Sequence, residues 1–302
     1  MIQRLFSLFA VLLAVASPSF GAPDATKTPD SAPADSATID SAPRVAFWDP
    51  VGGTSDETLN LKEDAMTRVA AWMRASGASV TRLRVDEIAD PASFSAQKFD
   101  VLVTPGEAFP AFLRSTIADF ATGGVVMALS ASEAPWSTPL VPDVNGRWRL
   151  QPGAKKVAPA PLDFGAQFSD FGDGNGTFFH RATPLLDRYL TANPARREEK
   201  SAAGAASLFE GFLPAPRLGL ANDTVITPLV RSFSGGKVPV EGAPQIFLAQ
   251  RGEFKALVVL SDVWSSEETE DGFQSGAALF GALCHVARDF GRATPVQSAS
   301  RP

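Results

Sequence analysis

Ser130 is the residue with which chemistry could begin. It closes an apolar run in "GGVVMALSASEAPW" (residues 123–136), with small residues on either side. A serine at the end of a strand can act as a nucleophile, but its hydroxyl is inert until a base takes its proton. The chain has two histidines, His180 and His285. With His180 as base, Asp49 or Glu107 could orient it, or the two carboxylates could work as acid and base themselves. Both carboxylates also suit blander tasks. Glu107 reads as the opening of a helix, where an anion is favoured, and Asp49-Pro50 reads as turn chemistry. Cys284, the single cysteine, lies in the helical stretch "ALFGALCHVARDF" and reads as a small buried hydrophobe. One cysteine forms no intramolecular disulfide, and two histidines leave little for a His-rich metal site. No metal and no cofactor are expected.

These residues matter only if the chain gathers them. "RVAFWDP" (44–50) reads as a strand, residues 58–77 as a helix stopped by Gly77, and "ASVTRLR" (78–84) as a second strand. "DVLVTPG" (100–106) is apolar on both sides, which suits a central parallel strand. A helix closed by Gly123-Gly124 and the strand "VVMALS" (125–130) continue the alternation of an open parallel sheet. Residues 137–180, rich in Pro, Gly and aromatics, break the pattern and read as an insertion. Later strands at 222–233, 243–252 and 253–262, the last two joined by a tight "RGEF" turn, add an antiparallel extension. The helix 271–290 closes the chain. The expected class is α/β, with an open, mostly parallel sheet covered by helices on both faces.

In such a sheet ligands bind beyond the carboxyl ends of the strands. That rule selects Trp48 and Asp49, Gly106 and Glu107, Ser130 with Trp136 beyond it, and Asp262 with Trp264. Flat apolar rings suit sugar faces and other ligands, with core packing as the alternative use of the same rings. "FGDGNGTFF" (171–179) is similar to part of a calcium loop. However, Phe171 and Ala182 stand where the first and last ligands belong, so it reads as a Gly-rich turn. Asn175 and Asn222 open glycosylation sequons.

"FDVLVTPGEAFPAFLRSTIADFATGGVVMALSAS" resembles the class I glutamine amidotransferase-like fold. The "D-x-L-V-x-P-G" strand, the following helix and the glycine pair before the elbow strand carry the resemblance. "RGEFKALVVLSDVW" is similar to the late strand of the same family. The nearest look is to the trimerisation domain of some β-galactosidases and to trehalose-utilisation (ThuA-like) proteins. The resemblance covers about residues 44–135 and 243–290. In catalytic members the elbow reads G-x-C-x-G, a strained turn that needs small neighbours. Here it reads Ala128-Leu129-Ser130-Ala131-Ser132, with serine in place of the nucleophilic cysteine. The family's late His-x-Glu motif has no match, because His180 is followed by Arg-Ala and His285 by Val-Ala.

The chain opens on "MIQRLFSLFAVLLAVASPSFGA", with Arg4, an apolar run from Leu5 to Val15 and small residues after it. This reads as a secretory signal peptide over residues 1–21. Its apolar run is shorter than the roughly 20 residues of a membrane span, so no stable span is expected after its removal. Residues 22–42 are dominated by Pro, Ala, Ser, Thr and Asp and read as a flexible linker. Residues 43–291 form the expected domain, with an insertion at about 137–240, and residues 292–302 a tail. The formal charge of −6 and the lack of a basic cluster exclude nucleic acid as a natural partner.

The expectation is an exported, non-catalytic amidotransferase-like domain that binds a carbohydrate or an envelope protein at its strand ends. A periplasmic serine hydrolase using Ser130 and His180 is the alternative. A purely structural role in an envelope assembly is a third.

Overall fold

The computed structural model describes residues 41–48, 63–106, 108–129, 138–152, 167–169, 178–192, 209–211, 217–219, 221–234, 243–260 and 270–293. All of them fall within one compact unit, Ile39–Pro302. In chain order the elements are β1 (Arg44–Trp48), α1 (Glu63–Ala75), β2 (Ser79–Leu83), α2 (Val85–Ala89), β3 (Val101–Pro105), β4 (Ala108–Pro110), α3 (Arg114–Gly123), β5 (Val125–Leu129), β6 (Thr138–Pro142) and β7 (Trp148–Leu150). They continue with β8 (Gln167–Ser169), β9 (Phe178–Ala182), α4 (Pro184–Ala192), β10 (Phe209–Gly211), β11 (Arg217–Gly219), β12 (Thr224–Ser234), β13 (Ala243–Arg251), β14 (Phe254–Val259) and α5 (Glu270–Arg292).

Nine strands make one open sheet in the order β10-β9-β12-β13-β14-β5-β3-β1-β2. Strands β2, β1, β3, β5 and β14 run parallel. From β14 onward the sheet is antiparallel through β13, β12, β9 and β10. This is the expected α/β sheet with its late antiparallel extension. The β13–β14 hairpin turns at Gly252, whose φ of 59° lies in the left-handed region that glycine tolerates.

The layers follow from the side-chain alternation of the central strands. Val45 and Phe47, Val101 and Val103, and Val125, Met127 and Leu129 face a core closed by α1, α4 and α5. Ala46 and Trp48, Leu102, Val126 and Ala128 face a second core closed by α2, α3 and a small sheet of β4, β6 and β7. Both faces of β5 are buried, so its residues read as one continuous apolar run. Among the described residues no helix is long and apolar enough to cross a membrane.

The helix expected directly after the third strand starts late. The chain first makes β4, then a 3-10 turn at Ala111–Leu113, and α3 begins only at Arg114. Proline disfavours helical backbone at the residue before it, so Phe109-Pro110 cannot lie inside a helix and instead pairs with β6. Glu107 therefore does not open α3, and the helix-capping task expected of it is withdrawn.

Candidate functional site

The carboxyl ends of β1, β3, β5 and β14 lie along one edge of the sheet. In register, Pro105 is the neighbour of Leu129 and Leu129 of Val259. The strand order reverses between β1 and β3, since β2 returns on the far side of β1. In open α/β sheets this switch point is the place for a ligand, and Trp48 and Gly106 flank it. Gly106 is buried. Asp49, Glu107, Ser130, Trp136, Asp262 and Trp264 lie outside the described residues.

Trp48 is fully buried and belongs to the core beneath the site. Its indole meets Phe109 edge-on at 6.2 Å and Trp148 edge-on at 5.9 Å. Phe109 stands on β4 and Trp148 on β7, so the small sheet packs over the second face of the switch point. The ring expected to meet a ligand is thus spent on packing, which corrects the ligand-binding role expected of Trp48. Its Nε1 is buried without a hydrogen-bond partner. The exposed aromatic of this corner is Phe112, 56% exposed, whose ring stacks on Trp148 at 6.5 Å. The alternation that marked Trp48 as a strand end carries no signal for Phe112, which stands on the 3-10 turn.

Strand pairing separates the two expected catalytic residues. Leu129 lies in one register row with Val259, Ile246, Val230 and Ala182. The row crosses β14, β13 and β12 to reach β9, four inter-strand steps, or about 19 Å at ~4.8 Å per step. His180 stands two residues from Ala182 on β9, as the Cα partner of Phe209 and Ser232. Ser130 is one Cα step, about 3.8 Å, from Leu129. A general base must come within about 2.6–3.2 Å of its proton donor; the described strands put the end of β5 and the His180 position four inter-strand steps apart, while Ser130 and the His180 side chain lie outside the described residues.

His285 is buried inside α5, with no partner on Nδ1. Burial pushes its pKa down, the positive charge of Arg288 adds to that, and Asp289 opposes it. The imidazole is held neutral at pH 7. Cys284 is completely buried, and burial raises its thiol to about 12, as expected of an inert core residue. Among the described residues no group of three or more His, Cys, Asp or Glu gathers as metal ligands.

The edge holds a polar residue that periodicity misses. Gln245 on β13 is 2% exposed, and its Nε2 has no hydrogen-bond partner. Its backbone carbonyl accepts the N–H of Leu260 at 2.9 Å, which fixes it beside the end of β14. Gln245 on β13 and Trp48 on β1 stand four inter-strand steps apart, so their unpartnered donors do not belong to one site.

No protein-family profile and no curated protein sequence matches the chain. Among solved structures, the exo-β-1,4-mannosidase Op5Man5 from Opitutaceae bacterium strain TAV5 is similar with a TM-score of 0.44 and 13% identity, over 82% of this chain and 36% of that one. The chain thus spans about a third of the mannosidase. A putative ThuA-like protein from Bacteroides uniformis is similar with a TM-score of 0.40 and 11% identity, over 80% of this chain and 92% of that one. A β-galactosidase from the Antarctic haloarchaeon Halorubrum lacusprofundi has a TM-score of 0.37 and 17% identity, over 79% of this chain and 30% of that one. At these identities the likeness is one of chain path alone.

Proposed function

We propose that this chain is an exported, non-catalytic domain that holds a carbohydrate at the carboxyl edge of its parallel strands. The observation that carries the non-catalytic part is the four-strand separation between the Ser130 end of β5 and His180 on β9. The ligand part rests on the residues that follow the strand ends. Asp262 can accept hydrogen bonds from sugar hydroxyls, and Trp136 and Trp264 can offer a flat apolar face to a sugar ring. Export rests on the apolar run Leu5 to Val15 and the small residues behind it.

A glycan array probed with the full-length protein tests the binding. Retention of an oligosaccharide, weakened by Trp264→Ala, supports the reading. An empty array together with capture of one specific envelope protein moves the reading to a protein partner at the same face. Export is checked by N-terminal sequencing of the protein from fractionated cells. A chain that still begins at Met1 in the cytoplasmic fraction removes that part.

A further inference from the structure

We propose that Asn145, at the tip of the β6–β7 hairpin, is a self-modification site: its side-chain amide is lost to attack by the backbone nitrogen of Gly146, at a rate set by the Asp143 carboxylate. The inference is independent of the carbohydrate reading above.

Pro142 and Trp148 are the last paired residues of the hairpin, and the Asp143 N–H closes the loop on the Arg147 carbonyl at 2.7 Å. Inside it, the Gly146 N–H donates to the Asp143 carbonyl at 3.0 Å, and Gly146 takes a φ of 76°. This is the geometry of a hairpin loop that ends on a left-handed residue, so backbone geometry places glycine there. The residue before it is Asn145, which is exposed. Gly146 carries no Cβ, and apart from its chain neighbours nothing lies within 4 Å of where one would stand. No side chain shields its nitrogen from Asn145. In the step, solvent base removes the Gly146 N–H proton and the nitrogen attacks Cγ of Asn145. The N–Cγ bond forms and the Cγ–Nδ2 bond breaks. The amide nitrogen takes a proton from water and leaves as ammonia. Water then opens the cyclic imide at either carbonyl, which gives aspartate or its isomer linked through the side chain. Water is the only co-reactant.

The same turn holds the reaction back. The attacking nitrogen is engaged with the Asp143 carbonyl. Asp143 Oδ1 accepts the N–H of Asn145 at 2.8 Å and the N–H of Arg147 at 2.9 Å, and its Oδ2 lies 3.5 Å from Arg147 Nε. Residues on both sides of Gly146 are thus pinned to one carboxylate, and hydrogen bonds to a charged acceptor are the stronger kind. Attack requires the Gly146 nitrogen to leave its partner and Asn145 to turn its Cγ onto it. The turn must open first, and its opening equilibrium enters the rate directly. The loop leads straight into Trp148, which packs against Trp48 and stacks with Phe112. The isomer lengthens the backbone at this point, so the change falls beside the cover of the switch-point corner.

Peptide mass spectrometry of the full-length protein, incubated in mildly alkaline buffer at physiological temperature, tests this. Wild type in urea serves as the chain without its turn. We expect folded wild type to convert at Asn145 at least about tenfold more slowly than the unfolded chain. Asp143→Ala should convert at least about tenfold faster than folded wild type, with its far-ultraviolet circular dichroism unchanged, because it removes two charge-assisted bonds. Asp143→Asn keeps an oxygen acceptor and loses the charge, so its rate should fall between the two. Folded wild type converting as fast as the unfolded chain overturns the inference, and so does Asp143→Ala converting no faster than wild type. An unfolded chain that converts at Asn175-Gly176 but not at Asn145 overturns the site itself. Should Asp143→Ala fail to fold, a rate in Asp143→Asn equal to that of wild type overturns the inference on its own.

Discussion

Asp100 and Arg44 clasp the amino edge of the sheet, opposite the strand ends. The Asp100 carboxylate accepts the Arg44 backbone N–H at 2.9 Å, its Nε at 3.1 Å and its Nη2 at 2.9 Å. Arg292 from the end of α5 adds a contact at 3.2 Å. The start of β1, the start of β3 and the end of α5 are thereby held by one side chain that is 6% exposed.

Asp100→Asn should lower stability at pH 7 by about 2 kcal/mol, the low end for a buried charged partner because Arg44 is partly exposed. Burial pushes the Asp100 pKa up, but the hydrogen bonds and charge of Arg44 outweigh it and hold the carboxyl below its ordinary value. A folded pKa below the unfolded one, about 3.9, means the contribution is full above that value. It is lost as pH falls through the folded pKa. Urea unfolding at pH 7 and at pH 3 should therefore show the gap between wild type and Asp100→Asn closing in acid. A gap that stays constant counts against the clasp.

Trp48→Ala should cost about 3–5 kcal/mol, the range for removing a large buried aromatic. The indole is fully buried and touches rings from two strands of the small sheet. Trp48→Phe should cost less, since it keeps an edge for Phe109 and Trp148. Chemical denaturation measures both. A loss under about 1 kcal/mol for the alanine variant, the size of an ordinary surface change, would return Trp48 to the surface as a ligand contact.

The parallel centre was legible because its strands are buried on both faces. "DVLV" and "VVMAL" are apolar without interruption, and Gly77, with φ of 93°, ends α1 as a left-handed glycine must. The β13–β14 hairpin was legible from its tight turn. β4 was not, because Ala108–Pro110 becomes a strand only through pairing with β6, which follows α3 and β5. The separation between the end of β5 and the His180 position was illegible for a related reason. Which strands lie between β5 and β9 is set by sheet order, and no local pattern encodes that order. Gln245 was invisible because a bulge is a property of two strands in register, while one strand's residues show only alternation. Trp48 was placed correctly at the end of β1 but misjudged in exposure. Its cover, Phe109 and Trp148, comes from segments whose position is a tertiary fact.

A fluorophosphonate probe should leave the wild-type chain unlabelled. The geometry behind this is the register row from Leu129 to Ala182, which keeps His180 four strands from the end of β5. Labelling that disappears in Ser130→Ala would require another base at the elbow. In-gel fluorescence reads the outcome directly.

Gly276→Ala pits two effects of known size against each other. In an exposed helix interior the change would stabilise by about 1 kcal/mol, the difference in helix propensity. Gly276 is instead buried in α5 beneath Trp72 of α1. A Cβ built there would stand 2.5 Å, 2.6 Å and 2.8 Å from three atoms of the indole. Real Cβ atoms do not approach so closely, so the ring must move. It has little room, because Trp72 is 1% exposed and stacks on Phe280 of α5 at 5.6 Å with 23° between the planes. Overpacking of this kind costs about 1–3 kcal/mol, which outweighs the propensity gain. We expect a net loss of up to about 2 kcal/mol in denaturant unfolding and a changed near-ultraviolet circular dichroism signal from the displaced indole. A variant more stable than wild type, with that signal unchanged, would mean that α1 and α5 do not pack through this contact.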